Sequence, residues 1–329
     1  MKIINTGKDQ RSLVHKNLIC GVLLLFSFIM FSCNTDPVKY GESATTGNIK
    51  IGVDETYSII MNYETEVFEK LYIYAKVKPV YKAEIDIFNA LIKDSFKLVV
   101  AARKLSSEEY QYFIQKQIYP KQLKIAIDAI ALIINKQNTD SLLTIEQLKQ
   151  ILLGNITNWN QINKTSKNGE IKVVFDNTKS STVRTIIDSV TKTAKLSDRL
   201  RTLKKNNEVI DFIANNPNAI GIIGVSWISD KSDSTVRNFM NKIRVMGLSR
   251  KQTATPTNSY QPYQAYIAKG LYPLTRYVYV IDCDPKAGLA AGFASFLASD
   301  KGQRIILKSG IFPATQPVIV REIEVNDGF

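Results

Sequence analysis

Residues 123–134, LKIAIDAIALII, form a long β-branched apolar run. An ordinary strand has about 5–6 residues, so one simple strand does not account for the run. A strand that passes from one domain into another would read this way. On its N-terminal side, 49–53 (IKIGV), 77–81 and 97–101 (KLVVA) read as short strands. Between them, Tyr57 to Tyr74 carries apolar residues at Ile59, Ile60, Tyr63, Val67, Phe68, Leu71 and Ile73, a helical stripe. Glu84 to Ile92 is a second helix, and Ser106 with Glu109 gives a capping-box signature for a third over 107–118. Strands alternating with helices through short connections argue for a parallel sheet with helices on its faces.

On the C-terminal side, Thr144 with Gln147 caps a helix over 145–152. Strands follow at 171–175 and 219–225, with helices at 181–190 and 208–215 and a further strand at 243–248. Gly221 and Gly224 mark close packing in the strand AIGIIGV. The segment 249–262 is a polar loop. Strands at 264–268 and 277–283, helices at 286–299 and 300–309 and an extended tail at 311–325 complete the chain. The fold class is therefore α/β with two lobes, each a mostly parallel sheet with helices on both faces. Lobe 1 is expected over 49–129 and 249–329, and lobe 2 over 130–248.

Of the 329 residues, 45% are hydrophobic and 22% charged, a composition that supports sizeable cores. The single histidine, His15, and two of the three cysteines, Cys20 and Cys33, lie at the N-terminus, leaving Cys283 alone in the body. That excludes a Ser-His-Asp triad, histidine-ligated zinc and an internal disulfide there. No phosphate-binding ATPase loop occurs. No enzyme activity and no cofactor are expected. The net charge of +13 is scattered along the chain, so it fits solvated lysine faces or attraction of a small anion, with no nucleic-acid partner implied.

The N-terminus reads as an export signal. Lys2, Lys8, Arg11 and Lys16 precede an uncharged stretch from Leu18 to Phe31, too short to span a membrane but suited to a signal sequence. Met30-Phe31-Ser32-Cys33 resembles a bacterial lipobox, with methionine where leucine is usual; an ordinary signal peptide is the alternative. The expectation is a signal over 1–32, a lipidated Cys33, and a flexible tether over 33–48 on the periplasmic side of a membrane.

The segment most informative about chemistry is VVFDNTKSSTVRTII, 173–187. A strand ends at Phe175, and Ser180, Ser181 and Thr182 bring three hydroxyls to a helix N-terminus. Orphan N–H groups and the helix dipole favour an anion there. Plain N-capping explains the same residues.

This segment resembles the Ser-Gly-Thr phosphate loop of PstS-type periplasmic phosphate-binding proteins, which have the type II periplasmic binding protein fold. IAIDAIALIINK (125–136), LTIEQLKQILLGNITNWNQI (143–162), NPNAIGIIGVSWISD (216–230), YPLTRYVYV (272–280) and FASFLASDKGQRIILKSGIFPATQPV (293–318) agree with members from Bacteroidetes-like bacteria. The resemblance implies two lobes that close on one phosphate and hand it to the permease subunits of an ABC importer, by a monomeric, lipid-anchored protein. It places Thr56 at the first-loop hydroxyl and Ser180 and Thr182 at the loop hydroxyls, with Ser181 in place of the loop glycine. The family's arginine and aspartate correspond here to Asp176 and Arg103, as though the charges had exchanged lobes; Arg184 is a second candidate guanidinium. An acceptor takes a hydrogen bond from a protonated phosphate oxygen and repels sulfate. The exchange leaves another oxyanion, such as sulfate or molybdate, or a sensor or adhesion module on the same fold, as the alternative readings.

Overall fold

The computed structural model describes residues 41–193 and 195–315. The expected signal, the lipidation site Cys33, most of the tether and the tail beyond 315 lie outside the described residues.

The 123–134 run is the middle of one strand, β4 (Lys121–Asn135). At ~3.3 Å per residue its fifteen residues extend roughly 50 Å. It runs through a sheet that also contains β1 (Gly47–Asp54), β2 (Ala75–Lys82), β3 (Leu98–Ala101), β6 (Lys172–Phe175), β7 (Arg201–Thr202), β8 (Ala219–Gly224) and β11 (Thr275–Asp282), in the order β2-β1-β3-β11-β4-β8-β6-β7. Up to Ala129, β4 pairs antiparallel with β11; from Ile130 it pairs antiparallel with β8. The pairings of β1 with β2 and β3 are parallel, as are those of β6 with β7 and β8. The sheet is therefore mixed, with parallel outer strands in each half and antiparallel pairing around β4 and β11.

Helices α1 (Ser58–Leu71), α2 (Glu84–Ile92) and α3 (Ser107–Gln115) follow β1, β2 and β3 in turn. Ser106 and Glu109 form the capping box predicted for α3, and Thr144 and Gln147 do the same for α4 (Ile145–Leu153). In the second half, α5 (Ser181–Ile186) follows β6 and runs into a π-helical turn, Ile187–Thr191, while α6 (Asn206–Ala214) precedes β8. The core packs Ile51, Val53, Ile130, Leu132, Ile133, Phe175, Ile220 and Ile222 from strands of both halves. A smaller cluster, including Phe88, Val99, Phe113 and the thiol of Cys283, lies under α2 and α3.

Three expectations are corrected. Residues 264–268 form a short helix, α8 (Gln264–Ala268), which follows α7 (Ser234–Lys242) and is tied down by Gln264 Nε2 donating to the carbonyls of Leu307 (2.9 Å) and Ile311 (2.8 Å). The stretch 243–248 is two strands. β9 (Ile243–Val245) pairs with β4, and the Met246 amide still donates to Leu132 (2.9 Å). The chain then leaves as β10 (Gly247–Ser249) to pair with β5 (Leu142–Thr144) in a separate two-stranded sheet. Finally, the end of the tether is built into the fold. Ser43 and Thr46 bridge, and Ala44 lies against α9 (Leu289–Ala298), which precedes α10 (Asp300–Lys308) and β12 (Phe312–Pro313).

A Cβ on Gly292 would come within 1.8 Å of the Ala44 carbonyl oxygen, a backbone atom that cannot rotate aside. Gly292→Ala is therefore expected to cost about 1–3 kcal/mol. Its signature is faster exchange of the Ser43 amide, which donates to Thr46 (3.0 Å).

Candidate binding site

Where β1 ends, Asp54 caps a single 3₁₀ turn (Glu55–Tyr57) by accepting from the Thr56 amide at 3.0 Å. Thr56 is fully buried, and its carbonyl accepts from Ser226 Oγ (2.6 Å) in the turn after β8. Across from it, where β6 ends, Ser180 Oγ accepts from the Val183 amide (3.2 Å) and donates to Asp176 Oδ1 (2.7 Å). Capping is thus part of what Ser180 does. Ser181 and Thr182 are fully buried, and Ser181 Oγ lies 3.5 Å from Thr56 Oγ1. The turn after β1 and the start of α5, one from each half of the sheet, therefore meet through their hydroxyls.

The cation beside them is Arg276. It lies on β11 directly opposite Asp128 on β4. Its Nε donates to Asp128 Oδ2 at 2.9 Å, Nη2 lies 2.8 Å from the same oxygen, and Nη1 donates to Ser181 Oγ at 2.9 Å. Burial disfavours its charge, but Tyr57, Asp128 and Asp54 more than offset this and hold its pKa above the usual arginine range. Tyr57 lies beneath, with the guanidinium 5.6 Å from its ring centre, and burial pushes its own pKa up. Asp176, buried and also hydrogen-bonded by Asn206 Nδ2 (3.3 Å), is raised to about 6, chiefly by burial. Glu55, which accepts from the same Asn206 nitrogen at 2.9 Å, is raised to about 7 for the same reason.

Several buried polar atoms here have no aligned hydrogen-bond partner: Asp54 Oδ2, Tyr57 Oη, Asp128 Oδ1, Thr182 Oγ1, Asn206 Oδ1 and Arg276 Nη2. Tyr57 is close enough to Asp128 to lower the carboxyl pKa, yet no hydrogen bond of acceptable geometry joins them. Nη2 is likewise within ion-pair distance of Asp128 without an aligned bond. Buried polar atoms are ordinarily satisfied, so their concentration around Ser181 marks a place built to meet a polar ligand.

A PBP superfamily domain profile matches residues 38–301. The chain belongs to the PBP superfamily. The phosphate-binding protein PstS of Pseudomonas aeruginosa is 22% identical over 297 residues, covering 86% of this chain and 88% of that protein. PstS of Borreliella burgdorferi is 22% identical, covering 90% and 98% respectively. Among solved structures, an ABC-type phosphate transport receptor from Vibrio cholerae superposes with a TM-score of 0.62 at 20% identity, over 81% of this chain and 100% of that one. A phosphate ABC transporter substrate-binding protein with bound phosphate, from Clostridium perfringens, reaches 0.69 at 20% identity over 81% and 99%. These likenesses carry the fold.

In this PBP superfamily member, Thr56 and Ser181 form one hydroxyl pair and Ser180 and Asp176 a second hydrogen-bonded pair one residue along the chain, with Thr182 buried beside them at the start of α5. Arg103 does not join it. Its guanidinium forks onto Glu109 (2.6 and 2.8 Å) and stacks 3.5 Å from the Phe88 ring centre. Arg184 is neither on a solvated face nor at the hydroxyls. It grips Glu84 on α2 (2.5 and 3.2 Å) and the Ala102 carbonyl (3.2 Å), tying the start of α5 to the other half. The charge exchange expected from the sequence is therefore corrected on its cationic side. Asp176 is in the cluster, but the guanidinium it shares the site with comes from β11. Arg276 and Asp128 both stood within segments singled out above, and each is a charge inside an otherwise buried strand, which marks a paired or functional residue.

Proposed function

We propose that this chain is a solute-binding protein, not an enzyme, that captures inorganic phosphate between two lobes and delivers it to the permease subunits of an ABC importer. The observation that carries the reading is a buried guanidinium on the hydroxyl of Ser181, with Thr56 of the other half 3.5 Å from that hydroxyl. Such a cluster supplies donors from two bodies, so an anion held there favours closure of one onto the other. The lobes are residues 49–129 with 249–329, and 130–248. Thr56, Ser181, Thr182 and Arg276 supply the donors and Asp54 an acceptor, while Asp176 and Ser180 hold the loop. The names of the relatives support phosphate as the anion.

The protein is exported, lipid-anchored through Cys33, and works as a monomer. Cys33→Ser would then move it from the detergent phase to the aqueous phase in a partition assay.

Titration calorimetry on purified protein freed of ligand tests the reading. Phosphate binds and sulfate does not. Ser181→Ala removes a hydroxyl bonded to a charged donor, worth about 1.5–3 kcal/mol, and therefore weakens phosphate by roughly 10- to 150-fold. Silence with both anions would overturn the reading.

A further inference from the structure

Helix α2 starts behind Ala83, a residue with no side-chain acceptor to cap it. Its orphan Ile85 amide donates instead to the Lys179 carbonyl (3.3 Å), in the loop before α5 in the other half of the sheet. Two ion pairs join the same surfaces. Lys179 Nζ reaches Asp86 (2.9 Å), and Arg184 forks onto Glu84 (2.5 and 3.2 Å). Lys179 and Arg184 thus bracket the hydroxyls of 180–182 and hold them against the half that carries Thr56 and Arg276. Glu84 is only 1% exposed, and each charge of its pair keeps a partner in its own half. Arg103 lies 3.8 Å from Glu84, and Asp188 accepts from Arg184 Nη1 at 3.1 Å. Parting the halves therefore strands neither charge, so the contact can break and re-form. Charge also ties it to the anion site. Arg276 repels Arg184 from the opposite half. An anion on Arg276 offsets that repulsion, and occupancy of the site then favours the approach of Arg184 to Glu84.

We propose that Arg184 and Glu84 form a latch that closes across the site when the anion is bound, and that this latch sets the rate at which the anion leaves. Both are positioning residues, acting through closure and not through contact with the anion. The proposal rests on the phosphate reading above and goes beyond it by assigning release to residues outside the hydroxyl cluster. Arg103 keeps Glu84 ready in one half while Asp188 holds Arg184 in the other. The Lys179–Asp86 pair is exposed on both sides and contributes little.

Release of radiolabelled inorganic phosphate from the purified protein, chased with unlabelled phosphate, tests this. Glu84→Gln and Arg184→Met each speed release roughly 10- to 100-fold, as truncating one partner of a largely buried charge pair does. Their association rates change little. The double variant releases no faster than the faster single one, because both substitutions remove one interaction. Lys179→Met speeds release by less than about fivefold. Glu84→Gln keeps the size of the side chain and an acceptor, so the melting temperature of the phosphate-free protein stays near that of the wild type. In hydrogen exchange, the Ile85 amide is protected when phosphate is present and exchanges faster when it is removed. Release at the wild-type rate from both single variants, or Ile85 exchange indifferent to phosphate, would overturn the latch with phosphate binding intact. So would a Glu84→Gln protein destabilised equally with and without phosphate, since the pair would then serve folding alone. No binding of phosphate to the wild-type protein would overturn the phosphate reading instead.

Discussion

Arg276→Met abolishes phosphate binding and lowers the melting temperature by roughly 6–20 °C, and adding Asp128→Leu restores the melting temperature but not the binding. The first effect follows from the loss of the guanidinium that donates to Ser181 Oγ at 2.9 Å. The second has a different source. Arg276 and Asp128 face each other across β11 and β4 in the interior, and removing one strands the other's charge. Breaking a buried pair this way costs about 3–5 kcal/mol, whereas replacing both partners by apolar groups is often neutral. For a domain of this size each kcal/mol moves the midpoint by about 2–4 °C. Arg276→Lys keeps the charge but not the fork that spans Asp128 and Ser181 together, so it retains more stability than binding. Thermal denaturation and calorimetry on these variants separate the two roles. A double variant that stayed as unstable as the single one would show that Arg276 supports the fold by something other than this pair.

That pair also shows where reading the chain alone stops. The alternation of strands and helices, and the caps at Ser106 and Thr144, were legible because each rests on residues within one turn of each other. The length of β4 told of a strand shared between two halves. The site needed partners that are distant in sequence: Arg276 meets an aspartate 148 positions away and a serine 95 away. Hydroxyls at 180–182 were findable because their loop is local. The resemblance places Arg103 in a turn at the site, but Glu109, six residues along, captures its guanidinium instead. The five residues of α8 span too little chain for a helical period to be told from a strand, and their conformation is set by Gln264 reaching the carbonyls of Leu307 and Ile311.

Gly224→Ala is expected to weaken phosphate binding roughly 10- to 100-fold, and Thr56→Ser on the same background to recover most of it. Gly224 ends β8 with φ −69° and ψ 141°, a conformation alanine adopts freely, so the substitution acts through space alone. A Cβ there would sit 2.2 Å from Thr56 Cγ2 and 3.1 Å from Arg276 Nη2. The Thr56 backbone is held by Asp54 at its amide and Ser226 at its carbonyl, and turning its side chain about χ1 would take the hydroxyl away from Ser181. The strain is relieved by drawing the turn after β1 away from β8, the movement that parts the two halves. The variant therefore scatters as a larger particle in solution and binds less tightly. Serine at 56 keeps the hydroxyl next to Ser181 and lacks the methyl that collides, so the double variant closes again. Gly221→Ala is the control. Its Cβ meets Ile133, Ile213 and Val209 at 2.8–2.9 Å within the second half, so it lowers stability and leaves affinity of the folded protein unchanged. Equal loss of affinity from both substitutions, or no recovery with Thr56→Ser, would mean that contact between Gly224 and Thr56 does not govern closure.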